Sequence, residues 1–143
     1  MINKGMMTSN SNEWATPQDF FNELNNEFHF TLDPCSTHEN HKCSKYFTQK
    51  EDGLKQSWGG ETVFCNPPYG RQIQDWIRKA YKEHLKPSTT IVMLIPARTD
   101  TSYFHRYIYN HAEVRFIKGR LKFGDGKQSA PFPSMLVIYK SVD

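Results

Sequence analysis

Apolar residues in this chain come in short blocks, separated by polar segments that carry glycine and proline, and their spacing predicts helices alternating with strands. Thr16 followed by Pro17 predicts an N-cap with proline at the first helical position. The helix then runs through about Asn25, with Phe20, Phe21 and Leu24 on one side. Phe28 to Leu32 alternates and reads as a strand that ends at Asp33-Pro34. Residues 35–60 are mostly polar and irregular, with a short strand expected near Tyr46-Phe47. A strand over 62–65 follows, then an amphipathic helix from Ile73 to Leu85 that places Ile73, Trp76, Ile77, Ala80 and Tyr81 on one face. Ile91 to Ile95 is a continuous apolar run, which is the pattern of a strand buried on both faces. A helix over Thr101–Asn110 and strands over Ala112–Ile117 and Met135–Tyr139 complete the reading, with a Gly- and Lys-rich loop from Lys118 to Lys127. This alternation predicts an α/β fold with a largely parallel sheet.

In such folds ligands sit beyond the carboxyl ends of strands. Two strand ends carry suggestive chemistry. One is Asp33-Pro34, a carboxylate closing an apolar strand. The other is Asn66-Pro67-Pro68-Tyr69, directly after Thr62-Val63-Phe64-Cys65. Asn66 offers a side-chain carbonyl, the prolines stiffen the backbone and lack N–H groups, and Tyr69 offers an aromatic face. A planar group bearing an amine fits that set, such as the N6 amino group of adenine or a glutamine amide. A turn that happens to contain two prolines fits it too. The N6 lone pair of adenine is delocalised into the ring. Acceptors on both N–H bonds, from Asn66 and the Pro67 carbonyl, would free that lone pair for attack on a methyl donor.

Composition narrows the setting. At 143 residues, with 37% hydrophobic and 14% aromatic content, the chain is long enough for one domain with a real core, expected over residues 13–143 behind a loose polar lead-in at 1–12. The net charge of +3 is mildly basic. The densest basic stretch holds Arg115, Lys118, Arg120, Lys122 and Lys127 around three glycines and Phe123; Arg71 follows Tyr69, and Arg98 follows the apolar run at 91–95, where an ion pair with Asp100 is the other reading. These cations are expected to contact phosphates of a nucleic acid. No apolar stretch approaches a membrane span, and the polar N-terminus lacks a signal core. Three cysteines are too few for a disulfide framework, so a reducing cytoplasm is expected. Cys35, His38, His41 and Cys43 have the right chemistry for zinc, but their spacing matches none of the usual finger or ribbon patterns, so no metal is expected.

From about Glu13 to Tyr139 the chain resembles the phage-type DNA N6-adenine methyltransferases, the short Dam-like proteins of bacteriophages and prophages. The matching stretches are Trp14-Ala15-Thr16-Pro17, Leu32-Asp33-Pro34-Cys35, Tyr46-Phe47-Thr48 with Asp52-Gly53-Leu54, Trp58, Asn66-Pro67-Pro68-Tyr69, Leu94 to Thr101, Gly119 to Phe123, and Pro133 to Val137. The resemblance implies an S-adenosylmethionine-dependent enzyme with a shortened Rossmann-like fold, a mostly parallel sheet with an antiparallel C-terminal strand. It implies methyl transfer to adenine N6 in DNA, in the cytoplasm of a bacterial host, as a monomer or homodimer, with protection from restriction as its use. Carried over, Asn66, Pro67, Pro68 and Tyr69 are the catalytic motif. Trp14, Thr16 and Pro17 border the methionine part of the cofactor, Asp33, Pro34 and Cys35 take the place of the cofactor motif, and Asp52 approaches the adenosine half. The chain departs from the common pattern in one respect: the turn Asp33-Pro34-Cys35-Ser36 has no glycine. That departure keeps open a second expectation, a binding protein that has lost cofactor. A glutamine or RNA methyltransferase is a third.

Overall fold

The computed structural model describes residues 14–124 and 129–143. The expected lead-in over 1–12 and the expected phosphate contact Lys127 lie outside the described residues. Six strands form one sheet: β1 (Leu32–Asp33), β2 (Lys45–Tyr46), β3 (Thr62–Cys65), β4 (Thr90–Pro96), β5 (Glu113–Phe116) and β6 (Ser134–Tyr139). Their spatial order is β2-β1-β3-β4-β6-β5. The first four run parallel, while β6 pairs antiparallel with both β4 and β5. The architecture is therefore mixed α/β, with a mostly parallel sheet reversed at its C-terminal strand.

The centre of the sheet follows the apolar blocks. Ile91 to Pro96 of β4 and all six residues of β6 are buried. Their register pairs Ile91 with Tyr139 and Ile95 with Met135. Burial of each aliphatic or methionine side chain among them contributes roughly 1.5–3 kcal/mol. The edge strand β5 is less covered and leaves Phe116 exposed.

Helix α1 (Gln18–Phe28) differs from expectation at both ends. Pro17, not Thr16, is its N-cap, and no side chain caps it. At the other end it runs to Phe28, because Asn25 closes it twice. The Asn25 backbone carbonyl accepts from the His29 N–H at 2.8 Å, and its side-chain oxygen accepts from the Phe30 N–H at 2.8 Å. His29 takes the left-handed conformation, with φ of 58°. That turn uses up the residues expected to begin a strand at Phe28, so β1 keeps only Leu32 and Asp33. Phe28 and Phe30 instead stack on each other, and Phe30 joins Phe21 and Phe64 in the core.

Helix α2 (Ile73–Glu83) buries Ile73, Trp76, Ile77 and Ala80 of the predicted stripe, leaves Tyr81 half-buried, and stops two residues short of the expected end at Leu85, which is exposed. Its C-terminal Glu83 is buried and accepts from the Trp58 N–H at 2.6 Å and from Lys86 Nζ at 2.8 Å. The segment expected as a helix over Thr101–Asn110 is a single wide turn, Phe104–Ile108, of π type. The Tyr109 N–H reaches back to the Phe104 carbonyl at 2.8 Å, and the Tyr139 hydroxyl donates to the Tyr107 carbonyl at 2.5 Å, so this turn is fastened to β6. Among the described residues no helix is long and apolar enough to cross a membrane.

Candidate active site

The strand order reverses between β1 and β3. The chain leaves β1 toward β2 on one side, while β3 lies on the other. Parallel strands splay apart at such a point and leave a crevice beyond their carboxyl ends. A cavity of about 1070 Å³ lies there, lined by Trp14 to Thr16, Asp33 to Thr37, Asp52 to Leu54 and Asn66 to Gln72. Thus Trp14, Thr16, Asp33, Pro34, Cys35, Asp52, Asn66, Pro67, Pro68, Tyr69 and Arg71 are brought together from four separate segments. Pro17 does not line the cavity; it starts α1.

Asn66 is fixed at both ends of its amide. Its Nδ2 donates to the Trp14 carbonyl and to Thr16 Oγ1, the latter at 2.9 Å. Its Oδ1 accepts from the Tyr69 hydroxyl at 2.8 Å. One lone pair of Oδ1 remains. Tyr69 is only 6% exposed, with its ring edge-on to Phe132 and Phe123 at 5.5 and 6.5 Å. Burial raises the phenol pKa well above its ordinary value, so the hydroxyl keeps its proton at any working pH. Trp14 packs edge-on against the same two phenylalanines.

Asp33 is 4% exposed and binds its own loop. Its Oδ1 accepts from the Cys35 N–H at 3.4 Å and its Oδ2 from the Lys42 N–H at 2.9 Å. Burial pushes its pKa up to about 6, with those two N–H groups pulling the other way. Lys42, also on the cavity wall, donates from Nζ to Gln18 Oε1 at 2.9 Å, and burial lowers its pKa. Asp52 has φ of 59° and accepts from the Leu54 N–H at 3.1 Å, starting the short turn Gly53–Lys55.

Gly53 packs directly under the Asp33-Pro34-Cys35-Ser36 turn, which has no glycine of its own. A Cβ on Gly53 would stand 2.1 Å from the Pro34 carbonyl oxygen. The close approach that a glycine permits is made here by a glycine from a different segment. Trp58 Nε1 donates to the Gly53 carbonyl at 2.9 Å and holds it there. The stretch Asp52-Gly53-Leu54 does not reveal this approach from sequence; the glycine beside the matched aspartate is the available signal. Lys42 and the bond from Asn66 to the Thr16 hydroxyl likewise have no signature in the sequence.

The basic loop reaches the same site. Lys118, Arg120 and Lys122 are exposed. Phe123 next to them is buried, and the Gly124 N–H bonds the Ala15 carbonyl at 2.9 Å. Arg71 is exposed at the cavity rim, whereas Arg98 lies beyond β4 and off the cavity wall. Arg115 departs from the expected phosphate cluster. Both its Nη atoms bond Glu27 at 2.7 Å and its Nε bonds Glu113 at 2.7 Å, which raises its already high pKa. In the Cys35–Cys43 segment, His41 stacks on Tyr46 at 3.8 Å, His38 bonds the Tyr46 hydroxyl at 2.8 Å, and Cys43 is buried. Among the described residues no group of three or more His, Cys, Asp or Glu side chains is placed to hold a metal.

The family model described as DNA N-6-adenine-methyltransferase (Dam) matches residues 4–143. A DNA N-6-adenine-methyltransferase of Escherichia phage T1 is 33% identical over 110 residues, which is 76% of this chain and 45% of that protein. A putative methyltransferase YfdM of Escherichia coli (strain K12) is 33% identical over 64 residues, 40% of this chain and 70% of that protein. The chain therefore spans less than half the length of the phage relative.

Proposed function

From the chain's place in the DNA N-6-adenine-methyltransferase (Dam) family, to which it belongs, we propose that it transfers a methyl group from S-adenosylmethionine to adenine N6 in DNA, on a shortened Rossmann-like sheet. The observation that carries this reading is the placement of Asn66-Pro67-Pro68-Tyr69 beside Asp33-Pro34-Cys35, across one cavity at the point where the strand order reverses.

The cavity suits the cofactor. Its volume of about 1070 Å³ has room for a nucleoside with an amino-acid tail and an extruded base. Its wall carries two carboxylates, Asp33 and Asp52, and two cations, Lys42 and Arg71, a donor and acceptor set matched to a zwitterionic tail and ribose hydroxyls. Trp14 and Thr16 border the methionine end, with Pro17 behind them at the start of α1, Asp33, Pro34 and Cys35 form the floor at β1, and Asp52 serves the adenosine half. When bound, S-adenosylmethionine supplies an electrophilic methyl group on sulfur.

The protein's own residues do the rest. Arg71, Arg98, Lys118, Arg120 and Lys122 hold phosphates of the DNA. The target base leaves the helical stack, as base-modifying chemistry requires. The free lone pair of Asn66 Oδ1 and the Pro67 carbonyl accept the two N6 hydrogens, and Pro68 keeps that carbonyl's backbone stiff. Tyr69 closes the aromatic wall against which the base stacks. Rate comes mainly from holding nitrogen and methyl in near-attack geometry. The N6 proton is released to solvent.

The test is transfer of a tritiated methyl group from the cofactor to unmethylated DNA, followed by digestion to nucleosides. Label in N6-methyldeoxyadenosine is expected. Label confined to protein or RNA would replace DNA as the substrate, and no label, with no cofactor binding by calorimetry at millimolar concentration, would leave a binding protein.

A further inference from the structure

We propose that Thr16 is a positioning residue for Asn66, acting with the Trp14 carbonyl as a two-point clamp that decides which end of the amide faces the substrate. The inference rests on the methyl-transfer reading above.

The two ends of an asparagine amide have nearly the same shape and opposite hydrogen-bonding sense. An N6 amino group brings two N–H bonds and is met productively only by Oδ1. Turned by 180°, the same side chain would present NH2 to NH2. The orientation is therefore worth as much to the reaction as the residue itself.

Both N–H bonds of Asn66 are spent on the N-terminal motif. One goes to the Trp14 carbonyl and the other to Thr16 Oγ1 at 2.9 Å. A backbone carbonyl can only accept, so Nδ2 must lie on that side. A flipped amide would set Oδ1 against the Trp14 oxygen. The Thr16 oxygen takes the remaining N–H at a position only 5% exposed, where water cannot readily replace it. From the far side the Tyr69 hydroxyl donates to Oδ1 at 2.8 Å and agrees with the same orientation. The sequence predicts a helix cap for Thr16, but no side chain caps α1, which begins at Gln18. The Thr16 oxygen thus serves a residue 50 positions away.

The test compares Thr16→Val, which keeps the shape and removes the hydroxyl, with Thr16→Ser, which restores it. Three readouts are taken: kcat at saturating cofactor and DNA, cofactor affinity by calorimetry with S-adenosylhomocysteine, and solvent exchange of the Asn66 side-chain amide protons by NMR. Thr16→Val is expected to lower kcat roughly tenfold, the scale of one hydrogen bond. S-adenosylhomocysteine affinity is measured beside it because Thr16 also lines the cavity, and kcat is compared at cofactor concentrations that saturate each variant. One Asn66 amide proton should lose its protection, and Thr16→Ser should recover both kcat and protection. A wild-type kcat in Thr16→Val would overturn the proposal. So would weakened cofactor binding with kcat unchanged at saturation, or a loss that Thr16→Ser fails to restore. An inactive wild-type protein would sink the methyl-transfer reading itself, and the amide exchange comparison would then decide the clamp alone.

Discussion

The Tyr69 hydroxyl has one proton and two acceptors within reach, Asn66 Oδ1 at 2.8 Å and the Leu94 carbonyl at 3.1 Å. Tyr69→Phe removes that bond and keeps the ring, at a cost of about 1 kcal/mol in stability. Tyr69→Ala leaves a void against Phe123 and Phe132 and costs about 3–5 kcal/mol. Urea unfolding beside methyl-transfer rates should rank wild type, Phe, then Ala in both; Ala matching wild type in both would remove Tyr69 from the site. Asp33 gives a pH signature. Its pKa is about 6 in the folded protein against an ordinary 3.8, so the folded state holds the proton more tightly. Its contribution is therefore fully present below 3.8 and lost as pH rises through 6, a change on the order of 2–3 kcal/mol. Other carboxylates, such as Glu61 and Glu83, are shifted down and give the opposite slope. The measurement is thus the difference in unfolding free energy between wild type and Asp33→Asn across this range. It should fall as pH rises, and a flat difference would show that Asp33 ionises as an ordinary carboxylate.

Elements were legible where one apolar run met a clear stop. β3 falls where Thr62 to Cys65 predicts it, since Asn66-Pro67 can extend neither strand nor helix. β4 and α2 follow their apolar patterns in the same way. What could not be read were features set by groups distant in sequence. The Asn25 side chain prolongs α1 and shortens β1, and the Tyr139 hydroxyl fastens the wide turn at 104–108. The close approach of Gly53 to Pro34 joins segments that no local pattern connects. Gly53→Ala should accordingly push the loop after β1 aside, lowering stability by roughly 1–3 kcal/mol and weakening cofactor binding. Unchanged denaturation and calorimetry would mean that the loop tolerates the shift. Arg115 likewise reads as a phosphate contact by proximity in sequence, yet it ties α1 to β5 through Glu27. Arg115→Ala should leave the salt dependence of DNA binding unaltered and lower stability only slightly, because the pair is exposed to solvent and screened by it.

For the whole molecule, the order β2-β1-β3-β4-β6-β5 places the two chemically distinctive strand ends side by side, and the sequence could only suppose that they were neighbours. The cavity between them has the N-terminal motif on its wall, and Phe123 packs the basic loop against that motif's Trp14. Lys118, Arg120 and Lys122 then stand as exposed cations on that loop. Replacing all three by alanine should weaken DNA binding uniformly across sequences and flatten its log–log salt dependence by about 1 for each phosphate that is no longer neutralised. An unchanged slope would move the DNA surface elsewhere. The central claim, that Asn66 presents an acceptor to adenine N6, is tested most directly by comparing wild type with Asn66→Ala, using mass spectrometry of nucleosides from DNA incubated with each protein and cofactor. The account predicts N6-methyldeoxyadenosine with wild type and none with Asn66→Ala, which loses the bonds to Trp14, Thr16 and Tyr69 and melts lower than wild type but stays folded and still binds cofactor at the assay temperature. Equal yields of N6-methyldeoxyadenosine from the two proteins would contradict it.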